Sequence, residues 1–205
     1  SNTFFYQIGY GVGVDKIYDV SKKLGFAKLS GIEISEQENL GLVASSKWAK
    51  EGRGWGRPGR TPWVPEDIAS MSIGQSVVQV TPIQIARAYA AIANGGYLIT
   101  PHISKIEGES LLDKKLKKID INPENIQIIK NGLRKVVESG TGVDINSGLN
   151  NLPPVSGKTG TAEDFGEGGL DHAWFVCFTP SEKSELLIVA FAQNTPGGGS
   201  VHALP

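Results

Sequence analysis

The sequence predicts an α+β fold, with helices packed against an antiparallel sheet. Two helical segments open on capped prolines, Thr81-Pro82 and Asn122-Pro123, and stop at glycines. After Pro154 the apolar period shortens to that of strands. Three runs rich in β-branched and aromatic residues follow, Val155 to Glu163, His172 to Phe178 and Leu186 to Gln193, and such closely spaced strands pair most simply antiparallel. At 205 residues and 40% hydrophobic, the chain is long enough to bury a real core.

Taken in order, the apolar residues from Phe4 to Gly13 recur at mixed spacing. Asp15 is then expected to cap a short helix whose Ile17, Val20 and Leu24 share a face before Gly25 stops it. Residues 40 to 66 carry clustered glycines and prolines with Trp48, Trp55 and Trp63 among them, the composition of a long irregular excursion. The helix from Pro82 should bury Ile85, Tyr89 and Ile92, with Ala86, Ala90 and Ala93 admitting close neighbours. The helix from Pro123 should bury Ile126, Ile129, Leu133, Val136 and Val137 before Gly140. Between them, Lys114, Lys115, Lys117 and Lys118 stand near Asp113 and Asp120 and are expected to form a solvated loop.

The charge balance narrows the functions. Twenty basic and 21 acidic residues give a formal charge of -1, so no overall field draws the chain to nucleic acid or to an anionic membrane. The tryptophan- and arginine-bearing segment from Gly52 to Trp63 is better read as an exposed loop beside a cleft than as a stacking platform for single strands. A single cysteine, Cys177, excludes an internal disulfide and a Cys-rich metal site and reads as a small core residue. The longest apolar run, Leu186 to Ala192, is far short of a membrane helix, so an anchor would lie outside this chain. Both ends read as cut, and one compact domain or part of a larger one is expected.

The sharpest local signal is Ser156-Gly157-Lys158-Thr159-Gly160-Thr161-Ala162, a cation and two hydroxyls flanked by glycines. A phosphate-binding loop would need glycine where Leu152 stands and would open a helix, whereas this segment runs into strand-like residues. Gly9-x-Gly11-x-Gly13 likewise misses the dinucleotide spacing. Lys158-Thr159-Gly160 instead matches the Lys-Thr-Gly strand of penicillin-recognising serine enzymes. The surrounding chain agrees in order. Asn2-Thr3-Phe4-Phe5-Tyr6 resembles the second motif of those enzymes, S-x-N followed by an aromatic helix, with Ser1 in the middle position. Ile73-Gly74-Gln75-Ser76 and Thr81-Pro82-Ile83-Gln84-Ile85-Ala86 are similar to the I-G-Q-G segment and the T-P-L-Q-x-A helix. Asn94-Gly95-Gly96, Thr100-Pro101-His102 and the Gly140-Thr141-Gly142 turn follow where expected.

This ordered set resembles a class B penicillin-binding protein of the elongation type, penicillin-binding protein 2-like, over nearly the whole chain. The resemblance implies that residues 1–205 are a partial transpeptidase domain, lacking the upstream nucleophile segment and the terminal helix. It implies a D,D-transpeptidase that cross-links peptidoglycan stem peptides ending in D-Ala-D-Ala, binds β-lactams and works with cell-wall elongation partners. It also implies anchorage in the bacterial cytoplasmic membrane with the catalytic domain outside. By the same resemblance, Lys158 supplies the cation for the substrate carboxylate and Thr159 and Thr161 supply hydroxyls to it. The Thr161 N–H is an oxyanion donor, Gly160 leaves room for substrate, and Asn2 holds the substrate amide and the catalytic lysine.

No serine or threonine in the chain has a lysine three residues on, so S-x-x-K is expected upstream and this polypeptide alone is expected to be inactive. No cofactor is implied. The zinc ligands of some elongation-type relatives are not matched between Glu51 and Asp67, which hold neither histidine nor cysteine, so no metal is expected. His172 beside Asp171 reads as a structural or solvated edge-strand histidine rather than a base. The competing reading is a non-catalytic sensor or binding domain that kept the fold.

Overall fold

The computed structural model describes residues 2–51, 63–104, 116–146, 153–163 and 169–204. Its contacts separate into two compact units, Ser1–Leu29 with Glu36–Thr81, and Ser30–Ser35 with Pro82–Pro205. Trp55, Lys114 and Lys115 lie outside the described residues, as does most of the 51–67 segment to which the zinc expectation refers.

In the first unit, helix α1 (Asn2–Val12) is followed after Gly13 by α2 (Val14–Lys23). Gly13 adopts φ +80, a left-handed conformation that costs glycine little, and it rather than Asp15 is the cap of α2. Asp15 sits inside the first turn, and its carboxylate accepts the Ser46 N–H at 2.8 Å. The expected common face of α2 is also only partly right, because Val20 is 46% exposed. The described parts of residues 40–66, 40–51 and 63–66, hold short regular elements where an irregular excursion was expected. Strand β1 (Leu42–Val43) pairs antiparallel with β2 (Val78–Gln79). Between them, α3 (Ser46–Lys50) is capped by Ser45 Oγ accepting from the Trp48 N–H at 3.1 Å, and α4 (Pro65–Ser72) opens on its proline. Trp48 and Trp63 explain this order, since both pack on a core of Val14, Val43, Ala44, Met71 and Val77. Helices α1 and α4 cross closely at Gly9, where an added Cβ would lie 2.5 Å from Ser72 Cβ.

The second unit is built on three long strands. Helix α5 (Pro82–Ala93) leads to β3 (Tyr97–Leu98), which pairs with β4 (Lys117–Lys118). Two lysines expected in a loop therefore lie in a short strand, an outcome fixed by the Tyr97–Lys118 pairing and not by local composition. Helix α6 (Pro123–Ser139) begins as predicted, with the Asn122 side chain accepting from the Glu124 N–H at 2.9 Å. Strands β5 (Ser156–Ala162), β6 (Asp171–Thr179) and β7 (Leu186–Thr195) form one antiparallel sheet in the order β5-β6-β7. A helical turn, α7 (Gly199–His202), follows the last strand.

The helix stripes match expectation in part, with Ile92, Ile126, Leu133 and Val137 buried as expected. In α5 the most deeply buried residues include Gln84 and Arg87, with 1% and 7% exposure, beside Ala88 and Ala91. Arg87 reaches the core because its Nε donates to the Ile99 carbonyl at 2.9 Å, satisfying a group that would otherwise be costly to bury. In α6, Ile126, Leu133 and Val137 are buried while Ile129 is 43% exposed. At ~100° per residue, positions 126, 133 and 137 fall nearly in line, whereas Ile129 is turned ~60° away. A sheet that touches only a narrow line of α6 leaves Ile129 on the rim.

Candidate functional site

Strand β5 carries four of the five predicted site residues. Its register, Lys158 opposite Val176, Thr159 opposite Phe175, Gly160 opposite Trp174 and Thr161 opposite Ala173, fixes which side chains share a face. Lys158 and Gly160 stand with Trp174 and Val176 on one face. Thr159 and Thr161 stand with Phe175 and Cys177 on the other. Because β5 pairs only with β6, its second edge is unpaired among the described residues. A peptide laid along that edge would meet both faces. Asn2, the fifth residue, is the exposed first residue of α1 in the other unit.

The start of β5 is tied down by three side chains. Arg134 on α6 donates from Nη1 to the Val155 carbonyl at 2.8 Å, while its Nε donates to Glu138 at 2.8 Å. Ser156 Oγ donates to Ser181 Oγ at 2.9 Å, and Ser181 donates its own proton to the Pro154 carbonyl at 3.0 Å. Both serines are buried, so this relay satisfies polar groups that would otherwise destabilise the sheet. Beneath the threonine face lies an apolar cluster of Val137, Val155, Phe175 and Cys177, joined by Ile145, Ala190, Ala203 and Leu204. Cys177 is thus the small core residue the sequence suggested, and burial raises its thiol pKa.

Lys158 Nζ donates to the Thr159 carbonyl. The side chain keeps much of its surface, but the strand around it withdraws water from the ammonium, and this desolvation lowers its pKa from the ordinary lysine value. Such an amine holds a cation for an incoming carboxylate yet releases its proton more readily than a solvated lysine. The Thr159 hydroxyl is buried and lies 2.7 Å from Thr141 Oγ1, on the turn after α6. Thr161 Oγ1 accepts the Gly199 N–H at 3.3 Å. The glycine run before α7 permits this approach, since a Cβ on Gly198 would fall 2.1 Å from Thr161 Oγ1. Residue-by-residue reading missed Thr141, Gly198 and Gly199, although the Gly140-Thr141-Gly142 turn and the glycine run were visible signals.

His172 lies on the central strand β6 and not on an edge strand. Its Nδ1 accepts the Asn194 N–H at 3.3 Å, and its ring meets Phe191 edge-on at 5.7 Å. Those contacts are structural, as expected.

An edge strand bearing Lys-Thr-Gly-Thr, backed by helices in an α+β unit, defines the penicillin-recognising fold class. The description "Penicillin binding protein transpeptidase domain" matches residues 1–204, and the chain belongs to that family. It is 33% identical to the peptidoglycan D,D-transpeptidase MrdA of Haemophilus influenzae, over 100% of this chain and 33% of that protein. Stage V sporulation protein D of Bacillus subtilis is 30% identical, over 98% of this chain and 31% of that protein. The chain thus spans about a third of the length of these curated relatives. Among solved structures, a chain of a peptidoglycan synthase complex superposes with a TM-score of 0.81 at 34% identity, covering 100% of this chain and 34% of that one. Pseudomonas aeruginosa PBP2 in complex with WCK 5153 superposes with a TM-score of 0.79 at 28% identity, covering 98% of this chain and 43% of that one.

Proposed function

We propose that this chain is part of a peptidoglycan D,D-transpeptidase that cross-links stem peptides through a serine acyl-enzyme and is acylated by penicillins. The observation that carries the reading is Lys158-Thr159-Gly160-Thr161 on a strand with one edge unpaired among the described residues, where a substrate backbone can add alongside. In the reaction, a serine supplied by the parent protein attacks the D-Ala-D-Ala carbonyl, D-alanine leaves, and an amine of a second stem peptide takes the acyl group. Lys158 faces the departing residue's carboxylate with its charge. Thr159 and Thr161 offer hydroxyls to the same carboxylate from the opposite face of the strand. The Thr161 N–H stabilises the oxyanion, and Asn2 holds the substrate amide and the lysine that serves as base. Gly160 keeps the path open.

β-Lactams enter as mimics of the dipeptide, a reading supported by membership in the penicillin-binding protein transpeptidase family. Cell-wall elongation partners follow from the resemblance to MrdA and to a chain of a peptidoglycan synthase complex. Location at the cytoplasmic membrane, with this part outside, follows from the same reading. No helix among the described residues is long and apolar enough to cross a membrane, so the anchor is assigned to the parent.

The test is intact-protein mass spectrometry of the parent after incubation with benzylpenicillin, with this chain alone beside it. One covalent adduct on the parent, lost in a Lys158→Ala variant, and none on the isolated chain is the expected result. A folded parent that forms no adduct refutes the acyl-transfer reading and leaves the sensor role.

A further inference from the structure

Thr159 has a single hydroxyl proton, and its hydrogen-bond partner in the structure is another hydroxyl, Thr141 Oγ1 at 2.7 Å. Either oxygen could donate. If Thr159 donated, its proton would be spent on Thr141 and it could offer an anion only lone pairs. If Thr141 donates, Thr159 accepts and keeps its proton for a ligand, while being polarised into a stronger donor. A carboxylate, having only acceptors, selects the second arrangement.

The turn that presents Thr141 is unusually well fixed. Gly140 and Gly142 both donate their N–H groups to the Val136 carbonyl, at 3.1 and 3.0 Å, closing the end of α6. Val143 then donates to the Gly140 carbonyl at 3.3 Å. A Cβ on Gly140 would lie 2.9 Å from the Val136 backbone, so the tight turn excludes other residues there. Adjacent Val137 is fully buried in the cluster beneath β5. With the backbone of the turn fixed, the exposed Thr141 side chain lies with its oxygen against Thr159.

We propose that Thr141 is a positioning residue for carboxylate recognition, donating to Thr159 so that the Thr159 proton points at the substrate's terminal carboxylate. The inference rests on the proposed reading of β5 as the carboxylate-binding strand. Thr141 touches no substrate and acts through Thr159.

The experiment uses the parent protein and compares benzylpenicillin with its methyl ester, which lacks the anionic carboxylate. In Thr141→Val, the isosteric loss of one hydroxyl should lower the second-order acylation rate with the free acid roughly 3- to 10-fold. The loss should appear in the binding constant and not in the limiting acylation rate. The already slow reaction with the ester should be unchanged, and Thr141→Ser should restore the acid. A Thr141→Val protein that acylates like wild type, or loses acid and ester equally, overturns the proposal. Thr159→Val separates the two levels. If it abolishes the preference for acid over ester while Thr141→Val does not, the inference alone fails. If the unaltered parent shows no acylation or no preference for the acid, the functional reading fails and the inference falls with it.

Discussion

Replacing Gly199 by alanine tests how closely the glycine run approaches the candidate strand. A Cβ there would lie 2.1 Å from the Trp174 carbonyl oxygen, 2.5 Å from the Gly160 carbonyl oxygen and 2.9 Å from the Gly160 nitrogen. Ordinary contact begins near 3.4 Å, so the turn would have to rise by about 1.3 Å (3.4 − 2.1) to clear Trp174 alone. The obstacles are strand backbone, which is held by pairing on both sides of β6 and cannot yield as a flexible side chain could. Overpacking of this kind costs about 1–3 kcal/mol, or more where backbone must move. For a chain of this size the melting midpoint falls by roughly 2–4 °C per kcal/mol. Gly132 provides the control, because it lies within α6 and a Cβ added there would meet nothing within 4 Å. Gly132→Ala should instead stabilise by about 0.5–1 kcal/mol through helix propensity. Urea unfolding followed by tryptophan fluorescence reads both. Trp174 gives a local signal at Gly199, since the displaced turn would also lose the Gly199 hydrogen bond to Thr161. A Gly199→Ala protein as stable as wild type would refute the close approach and, with it, the account of how Thr161 is covered.

Three further outcomes are expected. Gly9→Ala should destabilise by about 1–3 kcal/mol, because its Cβ would meet Ser72 Cβ at 2.5 Å; the double variant Gly9→Ala with Ser72→Gly should recover part of the loss in the same denaturation assay. Ser76 is exposed and held at φ +60 where the resembling segment has glycine, so Ser76→Gly should raise stability by about 0.5–1 kcal/mol, read as a higher urea midpoint with unchanged slope. Desolvation lowers the Lys158 pKa, so the folded chain gives up this proton at a lower pH than the unfolded chain. The unfolded state then binds more protons between the two values, and stability should rise with pH from the lowered pKa up to the unfolded lysine value. Lys158→Met should flatten that part of a stability-against-pH curve, and an unaltered slope would count against the desolvated site.

Sequence alone determined the features that depend on neighbours along the chain. The short run from Val155 to Glu163, following Pro153-Pro154, marked β5 through its residue types and turn boundaries, and the Asn122 cap marked the start of α6 because its side chain reaches the Glu124 N–H two residues on. The same local pattern, with its companion motifs in order, identified the family and four residues on one strand. What it could not provide were contacts between segments distant in sequence. Lys117 and Lys118 became a strand through pairing with Tyr97 and Leu98, Arg87 entered the core by finding the Ile99 carbonyl, and Ile129 was left outside because the sheet meets only one line of α6. Thr141 lies eighteen positions before Thr159, and only the closure of the turn after α6 onto β5 brings their hydroxyls to 2.7 Å. Periodicity reports which side of an element can be buried; the distance and direction of the partner that buries it are properties of the folded chain, and those decided the surroundings of the candidate site.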